Sequence, residues 1–273
     1  MSVAEQLPTS SLSAGGGGWA RRFGAGDVLV ALALSDLRAR YGRGPWQLAK
    51  WLLDPFAVVG VYLLLVTFVL DRAGTMPGLS LACAVVPFQL VMATVNNSMG
   101  AVDQRRAIIL NMSFRRALIP VSAVLTETVA FAGSLVLLPL MMAAYRVAPS
   151  TSLVWLPLVL AANIILALGL AYPASLFGLA FRDLRIVAVS LVRTAFFLAA
   201  GLVALSEIPG RAGDFVRLNP LTGIFESYRD VFLFQQRPAA WELLYPALTG
   251  LVLLAVFVPI YRREQRHFAK VLE

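Results

Sequence analysis

Long apolar stretches alternate with short, arginine-bearing polar links along most of this chain. A membrane-crossing helix needs about 20 mostly apolar residues. Six stretches meet that requirement: 52–70, 79–100, 119–144, 153–180, 186–205 and 243–261. The first two are joined by a tight polar link, 71–78, and the fourth is long enough to tilt or to kink near Pro173. Ahead of them, residues 27–41 set Leu29, Leu32, Ala33 and Leu37 at helical spacing behind Asp27, a suitable N-cap. That segment is too short to cross. It reads as an amphipathic helix in the headgroup region, with Trp46 and Trp51 at the interface. The connection 206–242 is long and aromatic, which predicts short helices dipping partly into the membrane. The predicted fold is therefore all-α and integral to the membrane. It has six transmembrane helices, an N-terminal interfacial amphipathic helix, and short re-entrant helices between spans five and six. The segments are a flexible cytoplasmic tail (1–26), an interfacial segment (27–50), the six-span domain (51–262) and a cytoplasmic C-terminal tail (263–273).

Composition excludes the other broad classes. Of 273 residues, 59% are hydrophobic and 14% charged, against roughly 45–50% and 25% in soluble domains. Mean hydropathy is +0.77. A soluble globule cannot hide that much apolar surface, and disordered or fibrous chains do not carry it. The net charge of +8 would point to nucleic acid in a soluble protein. In a membrane protein it follows from basic residues held on the cytoplasmic side, and no nucleic-acid partner is expected. Cys83 is the only cysteine and His267 the only histidine, so neither an intramolecular disulfide nor a zinc site can form. Cys83 reads as a small apolar filler. The chain has no phosphate-binding G-x-x-x-x-G-K-[ST], no G-x-S-x-G, no H-E-x-x-H and no C-x-x-C. Nothing argues for catalysis, a cofactor or a metal.

The basic residues also orient the spans. With the N-terminus inside, sixteen of the 23 lysines and arginines fall on one side, in the N-terminal segment, the second–third and fourth–fifth links, and the tail. Six fall opposite: Arg72, Arg146, Arg211, Arg217, Arg229 and Arg237. Arg193 lies within a span. The asymmetry puts both termini in the cytoplasm. Within the apolar stretches, Glu127 and Arg193 each sit about eight residues, roughly 12 Å, from the cytoplasmic end. Charge at that depth faces protein or water. The two either pair or face one polar path; separate wet cavities, or snorkelling of Arg193, are the alternatives.

Several motifs in order resemble a known family. Asp36, Leu37, Arg38, Ala39, Arg40 and Tyr41 are followed by Trp51, Leu52, Leu53, Asp54 and Pro55. Ile119 and Pro120 follow a basic link, and Phe181, Arg182, Asp183, Leu184 and Arg185 follow the fourth stretch. Leu218, Asn219, Pro220, Leu221 and Thr222, then Tyr228, Arg229 and Asp230, precede the sixth. Over roughly 30–273 this resembles the type 2 ABC-transporter permeases that export polysaccharides such as O-antigen, teichoic acid or capsule. The chain departs from the family pattern at 42–46, at 109–116, and at Arg193, where a neutral residue is usual.

The resemblance implies a homodimeric permease working with two copies of a separate ABC ATPase, which holds the ATP and magnesium. The substrate would be a lipid-linked glycan, with lipid around the chain and the bacterial cytoplasmic membrane as its location. It further implies that Arg105, Arg106, Arg115 and Arg116 form a coupling helix docking into the ATPase, with Arg182 and Asp183 as a shorter contact. The alternative is that these arginines only set topology and hold anionic headgroups. Asn219 and Pro220 resemble a helix start at an outer gate, against a surface loop fixed by pairing among Glu226, Arg229 and Asp230. Phe88, Phe131, Phe225 and Tyr228 are candidate rings along the channel or its exit. A type 2 permease for a lipid or drug, a membrane enzyme acting on lipid phosphates, and a non-transporting scaffold are the competing readings.

Overall fold

The computed structural model describes residues 25–41, 56–57, 59–61, 64, 76–106 and 116–265. The tail 1–24, most of the stretch 52–70, the link 107–115 with Arg115, Trp46, Trp51, and residues 266–273 lie outside them. Among the described residues every regular element is helical. The helices are α1 (Ala25–Tyr41), α2 (Pro77–Gln104), α3 (Leu118–Ser134), α4 (Leu137–Ala144), α5 (Leu156–Ala180), α6 (Arg185–Phe197), α7 (Arg211–Arg217), α8 (Pro220–Phe232) and α9 (Ala240–Glu264). Helix α1 reaches back over Ala25 and Gly26, so Asp27 lies inside its first turn rather than capping it. Helices α3 and α4 run end to end across a turn at Leu135 and Val136. A 3₁₀ turn, Thr151–Trp155, leads into α5, which passes unbroken through Pro173.

Among the described residues, four segments are long and apolar enough to cross a membrane: Pro77–Gln104, Leu118–Ala144, Thr151–Ala180 and Ala240–Glu264. They match four of the six stretches predicted from hydropathy. The stretch 186–205 departs from expectation. Helix α6 stops at Phe197, after 13 residues, or roughly 20 Å. The chain then folds back over Phe196. Ala199 and Ala200 are buried, Ala200 takes a positive φ of 50°, and a Cβ at Gly201 would fall 2.5 Å from the Phe196 carbonyl oxygen. The expected short helices follow as α7 and α8. The residues of α8 from Leu221 to Phe232 are all buried, and the helix packs against α2, α5 and α9.

Helix α2 is the centre of the bundle and α9 its rim: 78% of the apolar window of α2 is buried against 17% for α9. Leu244, Leu248, Leu251, Val252 and Val256 of α9 face outward, a surface that suits hydrocarbon rather than water. Helix α5 packs against α2 on one side and α9 on the other. Glycines permit both crossings. A Cβ on Gly169 would fall 2.5 Å from the Gly250 carbonyl oxygen, and one on Gly250 would fall 2.5 Å from that of Ile165. A Cβ on Gly178 would collide with the Met99 carbonyl. Small residues let helix backbones touch where no hydrophobic force drives helices together.

Gly250→Ala should therefore force α5 and α9 apart and cost about 1–3 kcal/mol. Gly26→Ala, on α1 with nothing within 4 Å of the added methyl, should be neutral or stabilise by up to about 1 kcal/mol. Thermal unfolding of the two detergent-solubilised variants separates these outcomes.

Candidate functional site

Polar side chains gather at the two ends of the bundle. At the basic end, three helices finish together and arginines meet their last carbonyls. Arg105 donates to the Ala101 carbonyl of α2 at 3.2 Å. Arg185 donates through Nε (2.9 Å) and Nη2 (2.6 Å) to the Gly178 carbonyl of α5. Arg116 donates to the Gln265 carbonyl at the end of α9, at 2.7 Å. The last carbonyls of a helix have no partner within it and carry the negative end of its dipole, so a guanidinium answers both needs.

These arginines are also tied to acids. Arg105 is buried and pairs with Asp36 of α1. Burial pulls its guanidinium below the ordinary value, and Asp36 opposes that pull. Asp103 of α2 pairs with Arg185 and, at 3.0 Å, with Arg182. Arg106, Arg182 and Asp183 are exposed. Of the residues expected to dock a partner, Arg105 and Arg116 are thus engaged within the chain, Arg182 is exposed while paired to Asp103, and Arg106 and Asp183 stand on the surface. Asp103 and Arg185 escaped the sequence reading, although Arg185 closes the Phe181–Arg185 motif that was singled out.

The opposite end is built around α8. Asn219 joins two helices. Its Oδ1 accepts from Leu221 N–H at 3.1 Å, capping α8 with Pro220 in the first turn. Its Nδ2 donates to the Ala195 carbonyl in the last turn of α6 at 3.0 Å. Below that junction the rings of Phe88, Phe196 and Phe225 meet at centroid distances of 4.9, 5.6 and 6.4 Å. Phe225, Tyr228 and Phe131 are buried in the chain's own interior, and Phe88 is half-buried. Phe196, absent from the expected set, is the ring that completes the cluster.

Arg229 is fully buried. It pairs with Glu226 at 2.6 Å, donates through Nε to the Ser80 hydroxyl at 3.1 Å, and reaches the Gly201 carbonyl at 3.4 Å. Glu226 also accepts from Leu205 N–H at 2.9 Å. Thus the Glu226–Arg229 part of the pairing anticipated for a surface loop exists, but inside the bundle, and Asp230 is not an ion-pair partner of Arg229. One turn along α8, Asp230 accepts from Gln236 at 2.8 Å and meets the Glu242 carboxyl of α9. Burial raises the Asp230 carboxyl, and the nearby Glu226 adds to the rise; hydrogen bonds from Gln236 and Glu242 oppose it.

Glu127 and Arg193 do not pair. Glu127 is buried and accepts a hydrogen bond from Asn97 of α2. Arg193 lies on the exposed face of α6. The acid points into the bundle and the arginine out of it, so the two cannot meet within one chain.

Two outcomes follow. Arg229→Met strands Glu226 in the interior and should cost about 3–5 kcal/mol. Adding Glu226→Gln should recover part of that loss, because the uncompensated charge is removed; thermal unfolding of the single and double variants measures the recovery. A carboxyl raised on folding contributes full stability below the ordinary carboxyl range, about pH 4, and loses it as pH climbs through the raised value. Asp230→Asn cannot titrate. It should flatten the fall in unfolding temperature seen for the parent as pH rises above the ordinary carboxyl range.

Curated proteins similar to this chain match about nine-tenths of its length. One is the O-antigen export system permease protein RfbA of Myxococcus xanthus, 27% identical over 246 residues, which span 89% of this chain and 94% of that protein. Two Klebsiella pneumoniae proteins of the same name are 27% and 25% identical over 255 and 249 residues, each spanning 90% of this chain and 95% of the relative. No protein-family model matches the chain. The alignments extend over about 90% of the chain, so the similarity to O-antigen export system permeases covers the bundle as a whole rather than one segment.

Proposed function

We propose that this chain is the permease subunit of an ATP-driven ABC exporter that carries a lipid-linked polysaccharide, of the O-antigen class, across the bacterial cytoplasmic membrane. The observation that carries the reading is end-to-end similarity to three O-antigen export permeases in a chain whose helices are apolar enough to cross a membrane. It is a transport subunit rather than an enzyme. ATP and magnesium belong to a separate ATPase, in keeping with a sequence that has no phosphate-binding loop. In this reading two copies of the chain assemble with two ATPases. The stretches 52–70 and 186–205 bring the spans to six, and both termini lie in the cytoplasm with the basic end.

The geometry supports a route for the driving force. Exposed Arg106, Arg182 and Asp183, with Arg115 in the adjoining link, offer the ATPase its contacts. Arg182 and Arg185 clamp on Asp103, so a push there moves the base of α6. The top of α6 is bonded to Asn219 through the Ala195 carbonyl, and Asn219 starts α8. Force applied at the basic end thus reaches α8 along one helix about 20 Å long. We take α7 and α8 as the re-entrant outer gate, with Asn219 and Pro220 at its hinge and Phe88, Phe131, Phe225 and Tyr228 as rings uncovered when it opens.

The test is purification of the tagged full-length chain in mild detergent, followed by reconstitution. A stoichiometric ATPase subunit should accompany it. Charge reversal at Arg106 and Arg115 should then leave ATP hydrolysis measurable while lowering polysaccharide export by tenfold or more. A chain that never binds the ATPase, or export unchanged by the reversal, rejects the coupling scheme.

A further inference from the structure

Arg193 is the one cation on the exposed face of α6, and its depth is fixed by its neighbours. Phe196, three residues on, stacks on Phe88 of α2. Val192, just before it, packs in the cluster of Val95, Met99 and Ala174. Helices α2 and α6 run in opposite directions, which sets Arg193 level with about residue 91, the middle of Pro77–Gln104. The hydrocarbon core is about 30 Å thick, so the nearest boundary is roughly 15 Å away. That is further than an arginine stem can snorkel. A guanidinium facing lipid at this depth costs several kcal/mol. Among the described residues no ion pair includes Arg193.

Two hydroxyls flank Arg193 on a face where Ile186, Val187, Leu191 and Phe197 are also exposed. Ser190 and Thr194 lie three residues before and one after, and all three side chains are exposed. Both hydroxyls spend their protons on helix carbonyls, Ser190 on Ile186 at 2.9 Å and Thr194 on Ser190 at 3.0 Å. Each therefore presents oxygen lone pairs outward beside the arginine. A planar guanidinium grips a phosphate through two parallel hydrogen bonds, and the flanking lone pairs suit hydroxyl donors. Phosphate next to hydroxyls is the chemistry of the junction where a glycan is esterified to its lipid anchor.

We propose that Arg193, flanked by Ser190 and Thr194, is a phosphate-recognition site on the wall of the translocation path, and that it holds the phosphate bridge between glycan and lipid during export. This rests on the exporter reading above. The bridge is the only anionic part that a neutral glycan on a lipid anchor must carry through the membrane interior. A site at mid-depth catches it after it leaves the inner headgroup layer.

The experiment uses the full-length chain reconstituted with its ATPase. Cys83 is buried, so Arg193→Cys supplies a single reactive thiol. A water-soluble methanethiosulfonate should label it, while Leu251→Cys on the lipid-facing side of α9 stays unlabelled. Binding is measured with a polyprenyl pyrophosphate, the matching polyprenol, and inorganic pyrophosphate. The parent chain should prefer the pyrophosphate lipid over the alcohol by roughly tenfold or more. Arg193→Gln should abolish that preference and Arg193→Lys keep part of it. Inorganic pyrophosphate should compete only weakly; competition equal to the lipid's would mark a site for free anions and overturn the lipid-linked assignment. An unlabelled Arg193→Cys, or an Arg193→Gln that keeps the preference, overturns the site. Surface polysaccharide in cells separates the two readings. A parent chain that fails to restore export to cells lacking it rejects the exporter, whereas an Arg193→Gln that exports and binds as the parent does rejects the site alone.

Discussion

A fully buried guanidinium must find acceptors for its donors, and much of the outer half of this molecule is arranged to supply them to Arg229. One acceptor is the Glu226 carboxylate on its own helix, one is the Ser80 hydroxyl of α2, and one is the Gly201 carbonyl. The Arg229 Nε also reaches the Ser80 carbonyl, near the start of α2, at 3.3 Å. The Gly201 oxygen comes within reach where α6 has stopped four residues earlier. The early end of α6, the inward fold of 198–204 and the burial of α8 thus meet at one guanidinium.

The same residue type does different work at the other end. The arginine excess there is commonly read as a topology signal. In this chain Arg105, Arg185 and Arg116 each also satisfy the terminal carbonyls of α2, α5 and α9. Three helix dipoles that end side by side place their negative poles together, and three guanidiniums neutralise them. Lysine would supply the charge but not a planar fork able to bond a carbonyl and a carboxylate at once, as Arg105 and Arg185 do. That gives a local reason for a chain with 21 arginines and two lysines to place arginine at these positions.

How legible each feature was depends on whether its cause is local. Stretches 79–100, 119–144, 153–180 and 243–261 were legible because hydropathy and length decide them, and they match the four crossing segments closely. The cap of α8 was legible because Asn-Pro is a local signal. The second bond of Asn219, to Ala195, was not, since nothing near either residue announces the other. The end of α6 was hidden for the same reason. Residues 198–205 remain apolar, and the arginine that meets the Gly201 carbonyl lies 28 residues further on. Arg105 and Arg106 were indistinguishable as a dibasic pair. One helical step turns the first inward to Asp36 and leaves the second on the surface. Glu127 and Arg193 looked like partners at equal depth, but depth says nothing about which way each helix is rotated.

The contacts also sort the molecule into parts that can move and parts that cannot. Where α5 crosses α2 and α9, backbones touch through Gly178, Gly169 and Gly250 with no room for a single methyl. Interfaces so close resist sliding, because any displacement drives carbonyls into carbons. Helix α8 has one such contact, a Cβ on Gly223 falling 2.8 Å from the Glu242 carbonyl oxygen of α9, but α6 and α8 also have ties of another kind. Their ties to the bundle include side-chain hydrogen bonds from Asn219, Arg185 and Arg229, which can break and re-form along a path, and ring contacts among Phe88, Phe196 and Phe225, which tolerate rotation. A transporter needs a fixed frame and a movable wall. Here α2, α5 and α9 have the packing of the frame, α8 is anchored to it at Gly223, and α6 has the bonding of the wall. Arg193 and its flanking hydroxyls then lie on the element best placed to change their exposure as the wall moves.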